Sequence, residues 1–295
     1  MDLTIQCERL PQSGETVDGH DFLTNPGGKG GNQAVAAAKL GAPTYLIARV
    51  GRDLFGDRLL QSLAEYRVDC TYVDRSPNLS TGIAIIVRSG SDNRIILSGG
   101  ANLEMRADDV EAVLEKLAKP GDIFTTQYEC NPLAVLESLA RAKKRNLFTL
   151  FNPAPARQIP VESYPSLDLI VVNQTECEYL TDIYPSDRQT CAAALRKFRE
   201  LGAGSAIVTL GAQGSMYGGS NGEIVFAESY RVPNVDTTAA GDTYIGALAC
   251  SFAAGLPIAD SMAFATKAAA LTITKRGAQQ SIPTRQELED HFRDL

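Results

Sequence analysis

Two hydrophobic periods alternate along the chain. Short aliphatic and β-branched runs are followed by stretches in which apolar positions return every three or four residues, the first fitting buried strands and the second amphipathic helices. The alternation is regular from residue 108 onward: a helix over 108–118 precedes a strand over 122–126, and a helix over 132–143 precedes a strand over 148–151. A strand over 167–172 leads into a helix starting near Glu176, and a helix over 188–201 leads into a strand over 206–210. Strands and helices at this spacing build right-handed crossovers and a mostly parallel sheet, so the fold class is α/β with helices flanking a central sheet. Ligands of such sheets bind at the carboxyl ends of the strands.

The first hundred residues are less regular. Residues 3–5 are a short β-prone piece, and 11–17 read as a loop entering a strand. A glycine-rich loop over 25–32 precedes an alanine-rich helix over 33–40 that Gly41 ends. A strand over 44–50 and a helix over 56–66 follow, the latter with Leu59, Leu60 and Leu63 on one face. Two β-rich runs, 82–87 and 94–97, flank turn residues at 89–93 and signal a hairpin. With the segment over 16–23, this hairpin implies a small sheet outside the main one, a lid over the site formed by segments near 14–25 and 80–98.

One stretch concentrates candidate chemistry: Asp236-Thr-Thr-Ala-Ala-Gly-Asp242, followed by small residues to Gly255. A tight loop feeding a helix presents unpaired N–H groups and the positive end of the helix dipole to an anion. Asp242 would stand beside that anion site. The pairing suits phosphoryl transfer to an alcohol, with a carboxylate taking the hydroxyl proton and N–H groups stabilising the moving phosphoryl. Asp is equally an N-cap residue, and these seven residues alone do not choose between the two readings.

No G-x-x-x-x-G-K-[ST] loop is present, and Gln33 stands where a G-x-G-x-x-G pattern starting at Gly28 needs its third glycine. Nucleotide contacts must come from elsewhere, the candidates being Thr209-Leu-Gly-Ala-Gln-Gly214, which also reads as a glycine hairpin, and the loop from Ala239 to Asp242. Asn173 and Glu176, just past a strand end, offer oxygen ligands for hydrated Mg²⁺; the same spacing is a capping box. Glu129 falls on the same rim.

Composition narrows the class. A net charge of −7 over 295 residues provides no broad basic surface, so nucleic acid is not expected as a partner. Six cysteines (Cys7, Cys70, Cys130, Cys177, Cys191, Cys250) without paired spacing and two histidines speak against structural zinc and against His-based catalysis. Scattered thiols imply a reducing, cytoplasmic location. The longest small-apolar run, 245–256, is shorter than the ~20 residues of a membrane span, and no signal peptide is visible.

Together these motifs resemble the ribokinase (PfkB-type) family of carbohydrate kinases over nearly the whole chain. The resemblance rests on Pro26-Gly-Gly-Lys-Gly-Gly-Asn32-Gln-Ala-Val-Ala-Ala, Asn152-Pro-Ala-Pro-Ala156, Asn173-Gln-Thr-Glu176, Val208-Thr-Leu-Gly211, the stretch from Asp236 to Thr243, and Lys275-Arg-Gly-Ala-Gln-Gln-Ser281-Ile-Pro. It implies the three-layer ribokinase-like fold and ATP-dependent phosphorylation of a sugar's primary hydroxyl. Asp242 matches the catalytic base, and the N–H groups of Ala239, Ala240, Gly241 and Asp242 match the anion hole. Asp2, Gly27, Gly28, Lys29 and Asn32 match positions that bind sugar hydroxyls, with Glu129 a further acid on that side. Asn173 and Glu176 match the motif that organises Mg²⁺ and phosphates through water. Thr209, Gly211 and Gly214 match the nucleotide loop, and Thr266 falls beside adenine. The resemblance also implies a monovalent cation, usually K⁺, at Asp236, Thr238, Thr272, Lys275, Gly277 and Ser281, mostly through carbonyls.

Three departures qualify what the resemblance implies. It sets a core strand ahead of Asp2, so a chain starting at Met1 is expected to lack that strand. Gly30-Gly31 stands where Gly-Ala is usual, expected to loosen the loop. Tyr128 and Cys130 beside Glu129 depart from a ribose site. Ribose is the leading sugar; deoxyribose, fructose and pseudouridine are alternatives, as is a non-catalytic sugar or nucleotide sensor on the same scaffold. A homodimer through the lid is the expected assembly.

Overall fold

The computed structural model describes residues 1–90 and 92–293. Its centre is a sheet of six strands in the order β12-β11-β10-β9-β8-β7. Strands β7 (Ile123–Gln127), β8 (Phe148–Asn152), β9 (Leu169–Asn173) and β10 (Ser205–Thr209) run parallel. Strands β11 (Ser215–Gly219) and β12 (Ile224–Ala227) extend the sheet by antiparallel pairing.

Alternate side chains along these strands divide between two cores, as a sheet covered on both faces requires. Phe151, Ile170, Val172 and Val208 pack with Leu139 of α4 (Pro132–Lys144), Leu180 of α5 (Gln174–Thr181) and Phe198 of α6 (Arg188–Glu200). Leu150, Leu169, Val171 and Ile207 pack on the other face with Leu248 of α7 (Ala240–Ala253), Met262 of α8 (Ile258–Thr272) and Leu288 of α9 (Arg285–His291). The result is three layers, helix on sheet on helix.

The sequence ends each parallel strand on a polar residue: Gln127, Asn152, Asn173 and Thr209. These amides and hydroxyls line up across the carboxyl edge, Gln127 opposite Asn152 and Asn173 opposite Thr209. Apolar strands bury themselves between the helices, and their polar ends define where a ligand meets the sheet.

A second sheet of four strands, ordered β2-β1-β5-β6, stands apart. It joins β1 (Asp2–Cys7), β2 (Gly19–Asn25), β5 (Ile83–Ser89) and β6 (Asp92–Ser98). The short piece expected at 3–5 is thus a central strand of the outlying sheet, paired with β2 and β5 on either side. Of the turn expected at 89–93, Ser91 lies outside the described residues.

The strand expected over 44–50 is β3 (Ala48–Gly51), which pairs with β4 (Val73–Ser76) in a separate two-stranded parallel sheet. One other expectation is corrected. Helix α1 spans Lys29–Lys39, so Lys29, Gly30, Gly31 and Asn32 are already helical rather than in a loop. Packing overrides the poor helix propensity of glycine there. A β-carbon at Gly30 would come 3.0 Å from Gln127 Nε2, and one at Gly31 3.3 Å from Gln279 Nε2. The glycine at 31 lets the helix sit close against its neighbours.

Candidate active site

Helix α7 carries Asp242 in its first turn, and Asp242 is 8 % exposed. Ala239 precedes the helix as N-cap with φ 61°, a left-handed conformation that costs a non-glycine residue about 1 kcal/mol and recurs at functional turns. One expected donor drops out: the Ala240 N–H turns back to the Thr237 carbonyl at 3.2 Å. Gly241 faces open space, since an added β-carbon would meet nothing within 4 Å. The helix N-terminus thus ends in room for a ligand beside a carboxylate.

Helix α1 lies close against α7 because Gly246, one turn beyond Asp242, has no side chain. A β-carbon there would come 2.5 Å from both Ala36 Cβ and the Gln33 carbonyl oxygen. That approach brings two successive amides onto the buried carboxylate. Asn32 Nδ2 donates to Asp242 Oδ2 at 2.9 Å, and Gln33 Nε2 donates to Oδ1 at 3.1 Å. Hydrogen bonds to a charged group contribute about 1.5–3 kcal/mol each, enough to hold the carboxylate in one rotamer. Asn32 Oδ1 is buried without a partner in the chain. A buried acceptor left unpaired costs about 1–3 kcal/mol, and a ligand hydroxyl donating to it would recover that cost.

Other expected acceptor-side residues gather here. The Asp2 carboxylate fills the space beside Gly27, where a β-carbon would come 2.1 Å from its Oδ2. Gly28 precedes α1 with φ 90°, so the chain turns where a side chain would be strained. The turn lets the Lys29 N–H donate to Glu129 Oε2 at 2.8 Å. Burial pushes the Glu129 carboxyl up, with Lys29 pulling against it and Asp242 and Asp2 adding to the rise. Burial also raises Asp2, and Asp242 raises it further. Burial alone would lower the Lys29 ammonium, but Asp242, Glu129 and Glu176 hold it above its ordinary value. Lys29 is therefore a cation shared by several acids, and the Met1 ammonium also faces Asp2 and Glu129.

A cavity of about 370 Å³ opens between the outlying sheet and the loops around Asp236 and Gly277. Asp2, Thr4 and Gln6 of β1 and Arg88 of β5 line one wall, as alternation along neighbouring strands requires.

The nucleotide-side and cation-side residues divide between open and engaged. Asn173 and Glu176 form a reciprocal capping box: Glu176 N–H donates to Asn173 Oδ1 at 2.8 Å, and Asn173 N–H donates to Glu176 Oε2 at 2.9 Å. Burial raises the Glu176 carboxyl, opposed by the Asn173 N–H and by Lys29. Among the described residues, no group of three or more His, Cys, Asp or Glu side chains is placed to hold a metal ion. A cation at Asn173 and Glu176 would meet one amide and one carboxylate of the chain, the rest of its shell coming from water or ligand oxygens. Gly214 is a packing glycine: a β-carbon would come 2.0 Å from the Ala227 carbonyl oxygen, so the hairpin alone accounts for it. Gly211, with φ 57°, is exposed and unobstructed, and the Thr209 hydroxyl leans on the Val172 carbonyl at 3.3 Å. Thr266 is buried, its hydroxyl spent on the Met262 carbonyl at 2.7 Å.

Asp236 accepts from the Thr238 N–H at 3.0 Å, the Thr238 hydroxyl at 2.6 Å and the Gly277 N–H at 3.1 Å. Burial alone would raise its carboxyl, but these donors and Arg88, 3.8 Å away, hold it below the ordinary value. An anionic oxygen at the cavity rim fits a monovalent cation. The hydroxyls of Thr272 and Ser281 donate to the carbonyls of Ala268 and Ala278, and the Lys275 ammonium is paired with Glu287 at 2.7 Å, so Lys275 offers main chain only.

Tyr128 leaves the sugar side. It is 2 % exposed and stacks edge-on against Phe151, with ring centroids 5.0 Å apart. Cys130 is half-buried, and burial pushes its thiol up to about 11. The sequence motifs assign no role to Gln33 or Asn152, although both stand inside conspicuous runs. What distinguishes them is burial of a polar amide, at 4 % and 6 % exposure, and no spacing reveals that.

Comparison with known proteins gives the chain's family. The family model described as pfkB family carbohydrate kinase matches residues 1–285. Ribokinase of Haemophilus influenzae is 35 % identical over 288 residues, covering 97 % of this chain and 93 % of the relative. Deoxyribokinase of Salmonella typhimurium is 33 % identical over 294 residues, covering 99 % and 95 %. The structure of Arabidopsis thaliana ribokinase complexed with ribose and ATP superposes with a TM-score of 0.90 at 31 % identity, covering 98 % of this chain and 94 % of that one. With the family model spanning nearly its whole length and an acid-bearing helix N-terminus at the strand ends, this chain belongs to the pfkB family of carbohydrate kinases.

Proposed function

We propose that this protein transfers the γ-phosphate of ATP to the primary hydroxyl of D-ribose, giving ribose 5-phosphate. The observation that carries the reading is the amide-held carboxylate of Asp242 next to the open space at Gly241, with Asn32 Oδ1 left unpaired beside it. A ribose hydroxyl donating to Asn32 Oδ1 would lie within reach of Asp242 Oδ2. Asp242 takes the proton of the attacking hydroxyl, the oxygen attacks the γ-phosphorus, and the bond to the ADP leaving oxygen breaks. The free N–H groups at the start of α7 stabilise charge on the moving phosphoryl. Asp2 and Glu129 accept from other sugar hydroxyls, and the Lys29 ammonium offsets their charge.

Acids outnumber bases in this cluster, so a triphosphate needs a counter-charge. Mg²⁺, held through water by Asn173 and Glu176, would supply it by neutralising phosphate oxygens. A K⁺ ion at Asp236 and the neighbouring carbonyls would fix the loop that leads into α7. Gly211 and Thr209 would border the nucleotide, and Thr266 would flank adenine by shape, its hydroxyl being engaged.

The four-stranded sheet forms the lid. Its exposed apolar residues include Phe22, Ile95 and Ile96, at 62 %, 56 % and 64 % exposure, and β6 is an edge strand. An apolar sheet edge of this kind favours pairing with a second copy, which supports a homodimer through the lid. Among the described residues no helix is long and apolar enough to cross a membrane, and all six cysteines are free, consistent with a reducing cytoplasm.

Deoxyribose is the second reading, because a deoxyribokinase is nearly as similar as the ribokinases. A panel of ribose, deoxyribose, fructose and pseudouridine, each offered with ATP and Mg²⁺, tests the choice. Ribose is expected to give the highest kcat/KM; a higher value for another acceptor would replace it, and no turnover with any would sink the kinase reading.

A further inference from the structure

The Asp242 carboxylate is held on both oxygens, and only one of the two amides holding it has a reason to touch substrate. Asn32 has an unpaired oxygen to offer a ligand, whereas Gln33 is 4 % exposed and directs its nitrogen at Asp242 Oδ1, 3.1 Å away. The same nitrogen lies 3.5 Å from Asn152 Oδ1. Asn152 has its own orientation fixed, because its Nδ2 donates to the Val171 carbonyl on β9 at 3.0 Å. A carbonyl accepts and does not donate, so the oxygen of the Asn152 amide must face Gln33, and Gln33 must answer with its nitrogen. The main chain of the central sheet thus dictates, through two buried amides, which group meets the carboxylate on α7.

We propose that Gln33 is a positioning residue for Asp242, pinning Oδ1 so that Oδ2, on the Asn32 side, receives the proton of the acceptor hydroxyl, with Asn152 setting the orientation of Gln33. This rests on the reading of Asp242 as the base. In the reaction the hydroxyl proton moves to Oδ2 while Oδ1 keeps its bond from Gln33, so the carboxyl group does not rotate. A carboxylate free to turn about its terminal bond would present the wrong oxygen, and a misplacement of about 1 Å can cost 100-fold in rate. Close approach of α1 and α7 at Gly246 keeps this linkage short.

The test compares wild type, Gln33→Met, Asp242→Asn and the double variant, measuring kcat with the best acceptor of the panel and the dissociation constant of that sugar by calorimetry. Met nearly matches glutamine in volume and lacks the donor. Gln33→Met is expected to lower kcat by about 10- to 100-fold while sugar affinity stays within about threefold, and to cost nothing further in the Asp242→Asn background. Wild-type kcat in Gln33→Met, a parallel loss of kcat and sugar affinity, or an additive loss in the double variant would overturn the proposal. If Gln33→Met does not fold, Gln33→Asn, one methylene short of the carboxylate, carries the same expectations. A wild type inactive on every acceptor, or an Asp242→Asn variant as active as wild type, would overturn the base assignment and this proposal with it. A dead Asp242→Asn beside a fully active Gln33→Met would overturn this proposal alone.

Discussion

Asn32 Nδ2 and Asp242 Oδ2, separated by 210 residues in sequence, lie 2.9 Å apart in a buried pocket. The bond joins the first turns of α1 and α7 and leaves Asn32 Oδ1 as an unpaired acceptor. On the proposed function, acceptor recognition and proton removal share this one side-chain pair.

The empty space at Gly241 gives a prediction about the phosphate. Gly241→Ala meets nothing within 4 Å beyond its own helix and chain neighbours, and alanine is the better helix former, so stability should be equal or higher by up to about 1 kcal/mol. Catalysis should fall by on the order of 100-fold, since the methyl group would displace the phosphoryl from its N–H donors. Thermal melts and steady-state kinetics check both; unchanged kinetics would show that the transferred group does not sit there.

The acid cluster predicts the pH dependence of sugar binding. Burial raises both Asp2 and Glu129, so each begins to protonate above its ordinary value of 3.8 or 4.5. A raised carboxyl favours the folded state when protonated: that contribution is full below the ordinary value and lost as pH rises through the raised one. Sugar binding on the proposed function runs the other way, because ionised carboxylates are the better acceptors of hydrogen bonds from the sugar hydroxyls. KM for the sugar should climb as pH falls, starting above pH 4.5, and Glu129→Gln should flatten part of that limb. A KM constant down to pH 4.5 would remove these acids from the sugar site.

Asp236 predicts activation by a monovalent cation. Its carboxylate is kept ionised by Thr238 and Gly277 on the loop that leads into α7. Turnover in potassium should exceed turnover in a large organic cation at equal ionic strength, and Asp236→Ala should remove the difference. Equal turnover in the two buffers would leave Asp236 a loop fastener, paired with Arg88.

The lid predicts an assembly. Ile96 is 64 % exposed on the edge strand β6, so Ile96→Asp should convert a dimer into a monomer in light scattering while the fold is retained. A wild-type monomer would refute the lid interface.

How far the sequence foretells this arrangement varies by element. Strands β7 to β10 are legible because each is a mostly apolar or β-branched run closed by a polar residue, with α4 between β7 and β8 and with α5 and α6 between β9 and β10, although only a loop and a short 3-10 turn join β8 to β9. Strand β11, Ser-Met-Tyr-Gly-Gly, has no alternation and is made a strand by pairing with β10. The run from Lys29 to Asn32 reads as a loop because glycine disfavours helix, yet contact with Gln127 and Gln279 makes it the first turn of α1. Asp242 and Asn32 stand out as polar residues in small-residue surroundings. Gln33 and Asn152 do not, because their significance lies in which atoms they face, and that depends on packing between segments far apart in the chain.

The most direct measurement is phosphoryl transfer from ATP to ribose by wild type and Asp242→Asn, with ribose affinity measured in parallel. Wild type should form ribose 5-phosphate, and Asp242→Asn should lose on the order of 1,000-fold in kcat while binding ribose within a few-fold of wild type. Substantial turnover by Asp242→Asn would contradict the account.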